Sequence, residues 1–427
     1  MSTLKAVRGT RDLLPPETAL WDRVEKTARQ VFTRYNFGEI RTPVFEDTGL
    51  FARGVGEETD IVSKEMYTWE DRARAQSEKT QSLTLRPENT AGVVRAFIEH
   101  QLGESGQLQK LYYIGPQFRR ERPQKGRYRQ FSQIGAEVIG PPSAGSESPI
   151  RDAEVLEMLA TLLDELGITG WKLELNSVGS AADRARYNEV LRAALVPLAP
   201  QMCVDCQRRA VTNPLRVLDC KVPADQPIIE TLPRMADSLD EASVAHFAAV
   251  TAALDAAGVP YTRNHRLVRG LDYYTRTTFE FTHGGLGAQN ALLGGGRYDG
   301  LSEAIGGPKA PGIGFAMGED RLVLTLQSLE AAAPVLADAY VAPLGEGLNA
   351  AALALARELR RGGLRVELGD GGFRLKKSFD AADKTARRIV ILGEDELQSG
   401  ILTVKTFATG VQTKVPRTEL VEFLRRS

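Results

Sequence analysis

Cysteine is scarce in this sequence, and long hydrophobic runs are absent. The 427 residues include three cysteines, which are too few for a disulfide framework and fit a reducing compartment. No apolar run approaches the roughly 20 residues of a membrane span. The first residues, "MSTLKAVRGTRDLLPPET", also lack the apolar region of a signal peptide. We therefore expect a cytoplasmic protein with no membrane partner.

An excess of charge of one sign is missing as well. The chain has 54 Lys and Arg residues against 55 Asp and Glu residues, a formal net charge of −1. Any binding of a polyanion must therefore depend on local basic patches. Two phosphate-binding patterns are also absent, namely Gly-x-x-x-x-Gly-Lys-Ser/Thr and a strand–helix turn with Gly-x-Gly-x-x-Gly. A nucleotide, if one binds, must be held in another way.

The composition is that of a globular protein, with 42% hydrophobic and 26% charged residues. The length predicts two or three domains. A mixed core of strands and helices covers residues 1–325 and contains an Ala-, Leu- and Arg-rich helical insertion at about residues 181–260. From about residue 335 to 427, the strands "AYVAPLG", "LRVELGD" and "RRIVILG" alternate with helical stretches. That alternation predicts a small α/β domain with a largely parallel sheet.

The segment "FRRERPQKGRYRQFSQIGAEVIG" has six Lys or Arg residues within positions 119–129. Strand-like runs on both sides predict an antiparallel hairpin. Because alternate residues of a strand share a face, Ile134, Ala136 and Val138 are predicted to face a core. The other face carries Phe131, Gln133, Gly135 and Glu137, with Gly135 leaving room for a ligand. Two interpretations remain open: an ordinary half-exposed hairpin, or a phosphate clamp beside a small-molecule pocket.

Arginines recur at the ends of strand-like runs. In "GIGFAMGEDR" a strand over residues 313–317 is predicted to enter a helix that carries Arg321 near its start. Close packing of the strand against the helix is by itself enough to explain the glycines of this segment. Three such arginines, Arg119, Arg269 and Arg321, together favour an anion-binding site.

Several of these segments resemble one known family. "TPVFED", the basic hairpin and "GIGFAMGEDRLVL" are similar to the three motifs of class II aminoacyl-tRNA synthetases. "TLRPENTAGVVRAF", "RGLDYYTRT" and "GGGRYDGL" resemble the histidine-specific segments of the histidyl-tRNA synthetase family. The resemblance covers nearly the whole chain. It implies a mostly antiparallel sheet of six or more strands flanked by helices, with Phe131, Gln133, Glu137, Tyr274 and Arg321 on one face, and a C-terminal anticodon-binding domain.

The resemblance also implies roles for individual residues. Glu88, Thr90 and Gln133 match the positions that bind the ammonium group of histidine, and neutral or negative acceptors suit that group. Glu137 and Tyr274 match those that bind the imidazole, with Tyr273 beside them. Arg119 and Arg269 are the implied catalytic residues and also line the histidine site. The implied ATP-binding residues are Arg119, Glu121, Arg127, Phe131 and Arg321.

The implied reaction is formation of histidyl-adenylate from histidine and ATP, followed by transfer to tRNA(His). The implied partners are histidine, ATP with Mg²⁺, tRNA(His) and a second copy of the chain, which would join at the "TPVFED" region. The resemblance implies that Arg269 stabilises the negative charge that develops at the α-phosphate. The alternative is that Arg269 only binds the carboxylate of the substrate histidine. Asn89, Ser132 and "GEDR" depart from the usual family residues Gly, His and "GIER" or "GLER".

The three cysteines are predicted to bind no metal. Cys203 and Cys206 form a C-x-x-C pair and Cys220 follows, but a structural zinc site needs four ligands. His246 and His265 are the two residues considered for the fourth position. We therefore expect a compact group of reduced thiols.

Two other functions share part of this sequence pattern. The catalytically silent relative that regulates ATP phosphoribosyltransferase shares the synthetase core, but it usually lacks the anticodon-binding domain and the histidine signature. A different class II synthetase, such as the prolyl or threonyl enzyme, does not match "RGLDYYTRT". A histidine–tRNA ligase is therefore the leading prediction.

Overall fold

A computed structural model describes residues 3–57, 59–71, 80–124, 126–286, 290–329 and 335–426. The chain divides into two compact units, residues 1–332 and residues 333–427. Each unit contains hydrophobic clusters of its own, so the two are described one after the other.

The first unit contains a large sheet and a small one. Its strands are β1 (Gly38–Glu39), β2 (Phe45–Asp47), β3 (Tyr67–Asp71), β4 (Gln81–Leu85), β5 (Gln109–Phe118), β6 (Gln130–Ile139), β7 (Trp171–Ser177), β8 (Thr262–Arg263), β9 (Thr275–His283), β10 (Ala291–Arg297) and β11 (Gly312–Gly318). The large sheet has eight strands in the order β1-β5-β6-β11-β10-β9-β7-β8. Its two outermost pairings are parallel, and the pairings between them are antiparallel. The predicted fold class is confirmed.

Helices cover one face of the large sheet. The helices of this unit are α1 (Thr18–Arg34), α2 (Thr48–Val55), α3 (Thr90–Glu99), α4 (Pro149–Glu165), α5 (Ala181–Leu195), α6 (Val204–Thr212), α7 (Gln226–Glu230), α8 (Glu241–Ala257), α9 (Leu301–Ala304) and α10 (Glu319–Leu329). The largest hydrophobic cluster joins α1, α4, α8 and α10 to Ile134, Ala136 and Val138 of β6. The other face of β6 is therefore free to form a site.

The predicted hairpin is present. Strands β5 and β6 pair antiparallel from Gln109↔Ile139 to Phe118↔Gln130, and the basic segment connects them. Strand β11 pairs with the other edge of β6 and places Gly318 opposite Gln133. Since β6 has strands on both sides, its side chains are fixed in register at the centre of the sheet.

The segment "EIRTPVFED" is divided between two sheets. Its residues contribute β1 to the edge of the large sheet and β2 to a three-stranded sheet of order β2-β4-β3. The turn between them is held by Arg86, whose guanidinium donates to the carbonyls of Thr42 (3.0 Å) and Pro43 (3.3 Å). A buried side chain from elsewhere in the sequence therefore breaks the strand.

The helical stretch that follows β7 packs in two parts. Residues between Tyr187 and Met235 form a separate small core, whereas Val250 and Leu254 of α8 belong to the main core. Asp183 joins the two parts, since its carboxylate accepts hydrogen bonds from the amide of Ser180 (2.9 Å) and the hydroxyl of Ser243 (2.6 Å). This capping arrangement fixes where α5 and α8 begin.

The second unit is a five-stranded sheet with helices on both faces. Its strands are β12 (Ala339–Pro343), β13 (Val366–Leu368), β14 (Arg388–Leu392), β15 (Ile401–Thr406) and β16 (Gln412–Pro416); its helices are α11 (Asn349–Arg361), α12 (Leu375–Thr385), α13 (Glu394–Ser399) and α14 (Leu420–Arg425). The order is β13-β12-β14-β15-β16. The first two pairings are parallel and the last two antiparallel. The prediction of a largely parallel sheet is wrong for β15 and β16.

Among the described residues of both units, no helix has the combination of length and apolar character needed to cross a membrane.

Candidate active site

A cavity of about 460 Å³ opens on the face of the large sheet that the helix layer leaves free. It is walled by β6, β10 and β11, by the start of α3, by the basic segment and by residues 268–274. All the candidate site residues from the sequence line it except Glu137. Residues from distant parts of the chain therefore converge on one cavity.

The first group in the cavity is a set of acceptors at the start of α3. The Glu88 carboxylate accepts hydrogen bonds from the backbone amides of Thr90 (2.7 Å) and Ala91 (3.0 Å). Burial raises the pKa of Glu88, and these two amides act in the opposite direction. The side-chain oxygen of Gln133 is buried without a hydrogen-bond partner among the described residues. Glu88, Thr90 and Gln133 thus present unfilled acceptor capacity to a donor.

Glu137 lies on the same face of β6 but beneath the cavity floor. Its side chain is fully buried, and one carboxyl oxygen accepts a hydrogen bond from the Thr90 hydroxyl at 2.8 Å. The other oxygen has no hydrogen bond of standard geometry among the described residues, although the Tyr298 hydroxyl is close enough to act against the rise in the pKa of Glu137. Burial raises the pKa of Glu137 to about 8. At neutral pH this carboxyl is therefore mostly protonated and can donate a hydrogen bond.

Two tyrosines close one side of the cavity. The rings of Tyr273 and Tyr274 lie 4.8 Å apart between centroids in a tilted arrangement. Burial raises the pKa of both phenols, so both remain neutral hydroxyls. Tyr274 directly precedes β9 and is not itself a strand residue, but its ring lies over Gly296 of β10, where an added Cβ would come within 2.8 Å of it.

The basic hairpin forms the opposite side. The Arg119 guanidinium lies 5.4 Å from the centre of the Phe131 ring and donates to the carbonyl of Pro87 at 2.8 Å. Glu121 forms an ion pair with Arg127, with 3.1 Å between oxygen and nitrogen. A flat ring beside the Arg119 guanidinium, with Arg127 on the same hairpin, is suited to a purine base and its phosphates.

Arg269 reaches the cavity from the segment that precedes β9, and not from the end of a strand as the sequence predicts. It forms an ion pair with Glu280 of β9. The guanidinium lies over Gly294, where an added Cβ would come within 2.5 Å of it. A glycine is therefore required at position 294 for Arg269 to adopt this position.

Arg321 lies near the start of α10, as the pattern "GIGFAMGEDR" predicts, and not on the sheet, so the expectation that the sheet carries it is wrong. The guanidinium nevertheless enters the cavity, where it donates to the carbonyl of Ala291 at 2.7 Å. Burial lowers the pKa of Arg321, and the positive charge of Arg127 adds to the effect. The two arginines together create a strongly positive region.

The interpretation of Gly135 needs correction, and the structure explains Asn89. An added Cβ at Gly135 would meet the Tyr113 hydroxyl at 2.3 Å, so Gly135 makes room for Tyr113 and not for a ligand. Asn89, which replaces the usual family glycine, has a negative φ of −118° and needs no glycine-specific conformation. Its side-chain oxygen accepts from the Thr42 hydroxyl at 2.6 Å and so anchors the start of α3.

The sequence missed several residues of the cavity wall. Glu65, Arg216, Asp219 and Glu280 all line it. Glu280 has a detectable signal, because it is a carboxylate within the strand-like run "TRTTFEFTH". The others lie in segments whose local pattern does not indicate a site.

The two histidines considered as metal ligands lie elsewhere. His246 on α8 is bonded to the buried carboxylate of Asp152 at 2.8 Å, and His265 is not part of the cysteine group. The residue that joins the three cysteines is Asp225. Neither histidine therefore lies at the fourth position of the group.

The fold and the site together define a class II aminoacyl-tRNA synthetase, with an antiparallel-rich catalytic sheet and a separate C-terminal domain. A family model described as histidyl-tRNA synthetase matches residues 9–322, and one described as anticodon binding domain matches residues 338–427. The chain belongs to the histidyl-tRNA synthetase family.

Similar proteins agree with this assignment. A histidine–tRNA ligase of Koribacter versatilis is 73% identical over 423 residues, covering 99% of this chain and 96% of that relative. A histidine–tRNA ligase of Solibacter usitatus is 56% identical, covering 98% of each chain. A crystal structure of apo histidyl-tRNA synthetase from S. aureus is 37% identical with a TM-score of 0.79, covering 99% of this chain and 100% of that one.

Proposed function

We propose that this protein is a histidine–tRNA ligase that works in two steps. In the first, a carboxylate oxygen of histidine attacks the α-phosphorus of ATP and pyrophosphate leaves, which gives histidyl-adenylate. In the second, a hydroxyl of the 3′-terminal ribose of tRNA attacks the carbonyl carbon and AMP leaves. The observation that carries the proposal is the single cavity in which buried acceptors lie beside Arg119, Arg269 and Arg321.

The acceptors at the start of α3 form the histidine half of the site. Glu88, Thr90 and Gln133 bind the ammonium group, since all three offer oxygen acceptors. Tyr273 and Tyr274 face the imidazole, and Glu137 is assigned to it from beneath the cavity floor, through the carboxyl oxygen to which Thr90 does not donate. A protonated Glu137 and a neutral tyrosine each offer both a donor and an acceptor, so each ring nitrogen can find a partner. Leaving such buried groups unpaired is costly, which is how the site rejects an apolar side chain of similar shape.

The basic hairpin forms the ATP half. Phe131 stacks on adenine, while Glu121 and Arg127 contact the adenine and the triphosphate. Arg119 binds the α-phosphate and Arg321 the more distant phosphates. Arg119 and Arg269 reach the reacting region from different sides of the cavity, and their charge opposes the negative charge that develops at the α-phosphate.

Mg²⁺ would accompany ATP, and two residues of the wall fit it. Glu65 and Glu121 both line the cavity, and burial together with the charge of Glu121 raises the pKa of Glu65. Mg²⁺ usually binds through one or two carboxylates together with substrate phosphates, so a cation here would relieve their repulsion. Glu65 and Glu121 would hold the ion, which supplies neutralising charge to the phosphates when bound.

Transfer to tRNA(His) involves the second unit. From Val335 onward it has 15 Lys and Arg residues against 12 Asp and Glu residues, a net charge of +3 in a chain whose net charge is −1. A modest positive excess suits phosphate contacts that position the nucleic acid. We assign this unit to anticodon binding.

A homodimer in the cytoplasm is the proposed state. The small sheet exposes Phe45 and Trp69, with ring centroids 6.0 Å apart, and Val44 beside them is also exposed. Such an apolar cluster at the "TPVFED" region is suited to contact with a second copy. The cytoplasmic location is supported by three cysteines that form no disulfide and by the need for tRNA.

The regulatory relative of ATP phosphoribosyltransferase is the alternative that needs a direct test. The test is histidine-dependent exchange of pyrophosphate into ATP, followed by charging of tRNA(His). We expect both activities, with no exchange when histidine is replaced by another amino acid. A folded protein that shows neither activity but stimulates an ATP phosphoribosyltransferase would overturn the proposal.

A further inference from the structure

Four side chains of the helical insertion converge outside the cavity. They are Cys203, Cys206, Cys220 and Asp225, and one sulfur or oxygen atom from each lies within 4.8 Å of the others. Cys203 is half-buried and the other three are buried. They come from the start of α6 (Cys203 and Cys206), from the loop after it (Cys220) and from the start of α7 (Asp225). The cluster therefore joins three separate points of the chain.

Two distances within the cluster are close to those between ligands of one ion. The Sγ atoms of Cys203 and Cys220 are 4.0 Å apart, and Cys220 Sγ is 3.3 Å from Asp225 Oδ2. Zinc binds sulfur at about 2.3 Å and carboxylate oxygen at about 2.1 Å in tetrahedral geometry, which separates two sulfurs by about 3.8 Å and a sulfur and an oxygen by about 3.6 Å. A disulfide, by contrast, needs sulfurs about 2.05 Å apart.

Backbone donors around the cluster would stabilise its negative charge. The amide of Val222 donates to Cys220 Sγ at 3.4 Å, and the amide of Cys203 donates to Asp225 Oδ1 at 3.0 Å. The side-chain amide of Gln226 donates to the Cys220 carbonyl at 2.8 Å and fixes the turn. Such outer contacts orient metal ligands and are typical of structural sites.

We propose that Cys203, Cys206, Cys220 and Asp225 bind one zinc ion in a closed structural site. Three thiolates and one carboxylate complete a four-coordinate shell, and soft sulfur ligands favour zinc over Mg²⁺ or Ca²⁺. This reverses the expectation from the sequence, which did not include Asp225. The rival explanation is a metal-free cluster in which protonated thiols donate to the Asp225 carboxylate.

The ion would also hold part of the cavity wall. Arg216 and Asp219 line the cavity and lie on the segment between Cys206 and Cys220. Asn213 in the same segment donates to the Asp272 carboxylate at 3.3 Å, close to the "RGLDYY" segment. Zinc at the cluster would fix both ends of this segment and so position it.

The first test is the metal content of the full-length protein. The protein is produced in zinc-supplemented cells, purified under reducing conditions and passed through a desalting column, and zinc per chain is measured by plasma mass spectrometry. We expect one zinc per chain in the wild type and a loss to background in Cys206→Ser, Cys220→Ser and Asp225→Ala. Asp205→Ala is the matched control, because Asp205 lies between the two cysteines of α6 with a side chain that is 69% exposed. It should keep its zinc.

The second test begins with the wild type, so its main result does not depend on how well a variant folds. The reduced, chelator-treated protein is titrated with Co²⁺, which has visible bands of high intensity when it is tetrahedral with thiolate ligands. We expect saturation at one Co²⁺ per chain and displacement by zinc. Asp225→Cys should retain binding with a shifted spectrum. Wild-type zinc no higher than in Cys220→Ser, together with no thiolate–cobalt spectrum and three free thiols by thiol titration, would establish the metal-free cluster instead.

Discussion

Glu137 is a carboxylic acid buried beneath the cavity, and its protonation affects stability. Its pKa is about 8 in the folded protein, against an ordinary value near 4.3 when exposed. Between these two values the unfolded chain releases a proton that the folded chain keeps, so the unfolded state binds fewer protons and stability falls as pH rises. Burial of a neutral Glu137 therefore contributes fully to the stability of the folded protein below the ordinary pKa of glutamate. This contribution to stability decreases as pH rises and is lost once pH passes about 8.

Glu137→Gln should therefore change the pH dependence of thermal unfolding. A neutral amide of similar shape removes the titration, so the melting temperature of the variant relative to that of the wild type should rise steadily as pH increases toward about 8. The measurement is thermal unfolding of both proteins over this range. Glu104→Gln, at an exposed position, is the control and should run parallel to the wild type. Parallel profiles for Glu137→Gln would contradict the assignment of a neutral carboxyl.

Arg269 is predicted to act in the transition state. It lies against Gly294 and is oriented by Glu280, so its charge is fixed before the reaction begins. Arg269→Ala should lower the turnover of ATP–pyrophosphate exchange by about 10²-fold or more with little change in the KM for histidine. Steady-state exchange kinetics measure both quantities.

The competing role of Arg269 makes a different kinetic prediction. If the guanidinium only binds the carboxylate of histidine, Arg269→Ala raises KM and leaves turnover near the wild-type value. Gly294→Ala provides a second variant, because its added methyl group must displace the guanidinium without removing its charge. A lower turnover in both variants would support the catalytic role of Arg269. A higher KM for histidine with unchanged turnover would show that Arg269 is only a binding residue.

Single residues were predictable from the sequence where a pattern fixes their direction. Alternation along β6 placed Phe131 and Gln133 at the cavity and Ile134 in the core. It did not predict that Tyr113 of the neighbouring strand fills the space above Gly135, because cross-strand register is not visible in one strand. Asp225 was missed for a related reason: its distance from the cysteines depends on how the loop folds, which the local sequence does not show.

At the scale of elements, long amphipathic helices were the most predictable. The apolar residues of α1 recur at helical spacing, and they are buried as that spacing requires. Short strands were less predictable: β15 (ILTVKT) and β16 (QTKVP) have only five or six residues, and neither shows the regular alternation of apolar and polar residues that indicates a strand. The break between β1 and β2 depends on Arg86, a residue 42 positions beyond Val44, and no local signal announces it.

The small sheet is the element that we expect to form the dimer contact. A stable interface buries about 800 Å² on each partner and has an apolar centre, and Phe45 with Trp69 provides such a centre. Phe45→Glu should convert the dimer into a monomer, because it places a charge there. Sedimentation velocity at assay concentrations measures the change.

Val411→Glu is the matched control for this experiment. Val411 is 57% exposed and Phe45 is 53% exposed, but Val411 lies in the second unit. The control variant should remain dimeric. A wild-type protein that sediments as an active monomer would overturn the dimer proposal, whatever the behaviour of Phe45→Glu.

At the scale of the whole molecule, the two units have different roles in the proposed reaction. Every residue assigned to histidine or ATP lies in the first unit, and the cavity is formed there alone. The second unit has its own cores on both faces of its sheet. The sequence pattern changes after "LEAAAP", where alternating strand-like and helical stretches replace strand-like runs rich in glycine. This change indicates the boundary between the two units.

Removal of the second unit should therefore separate the two steps. A chain that ends at residue 332 keeps the whole cavity, so ATP–pyrophosphate exchange should remain close to the wild-type rate. Charging of tRNA(His) should fall steeply, because the positively charged unit that positions the tRNA is gone. Circular dichroism and sedimentation verify that the truncated chain is folded and dimeric, and addition of excess tRNA tests whether the loss is one of binding. A folded, dimeric truncation that charges tRNA at the full rate would show that the second unit does not bind the anticodon region.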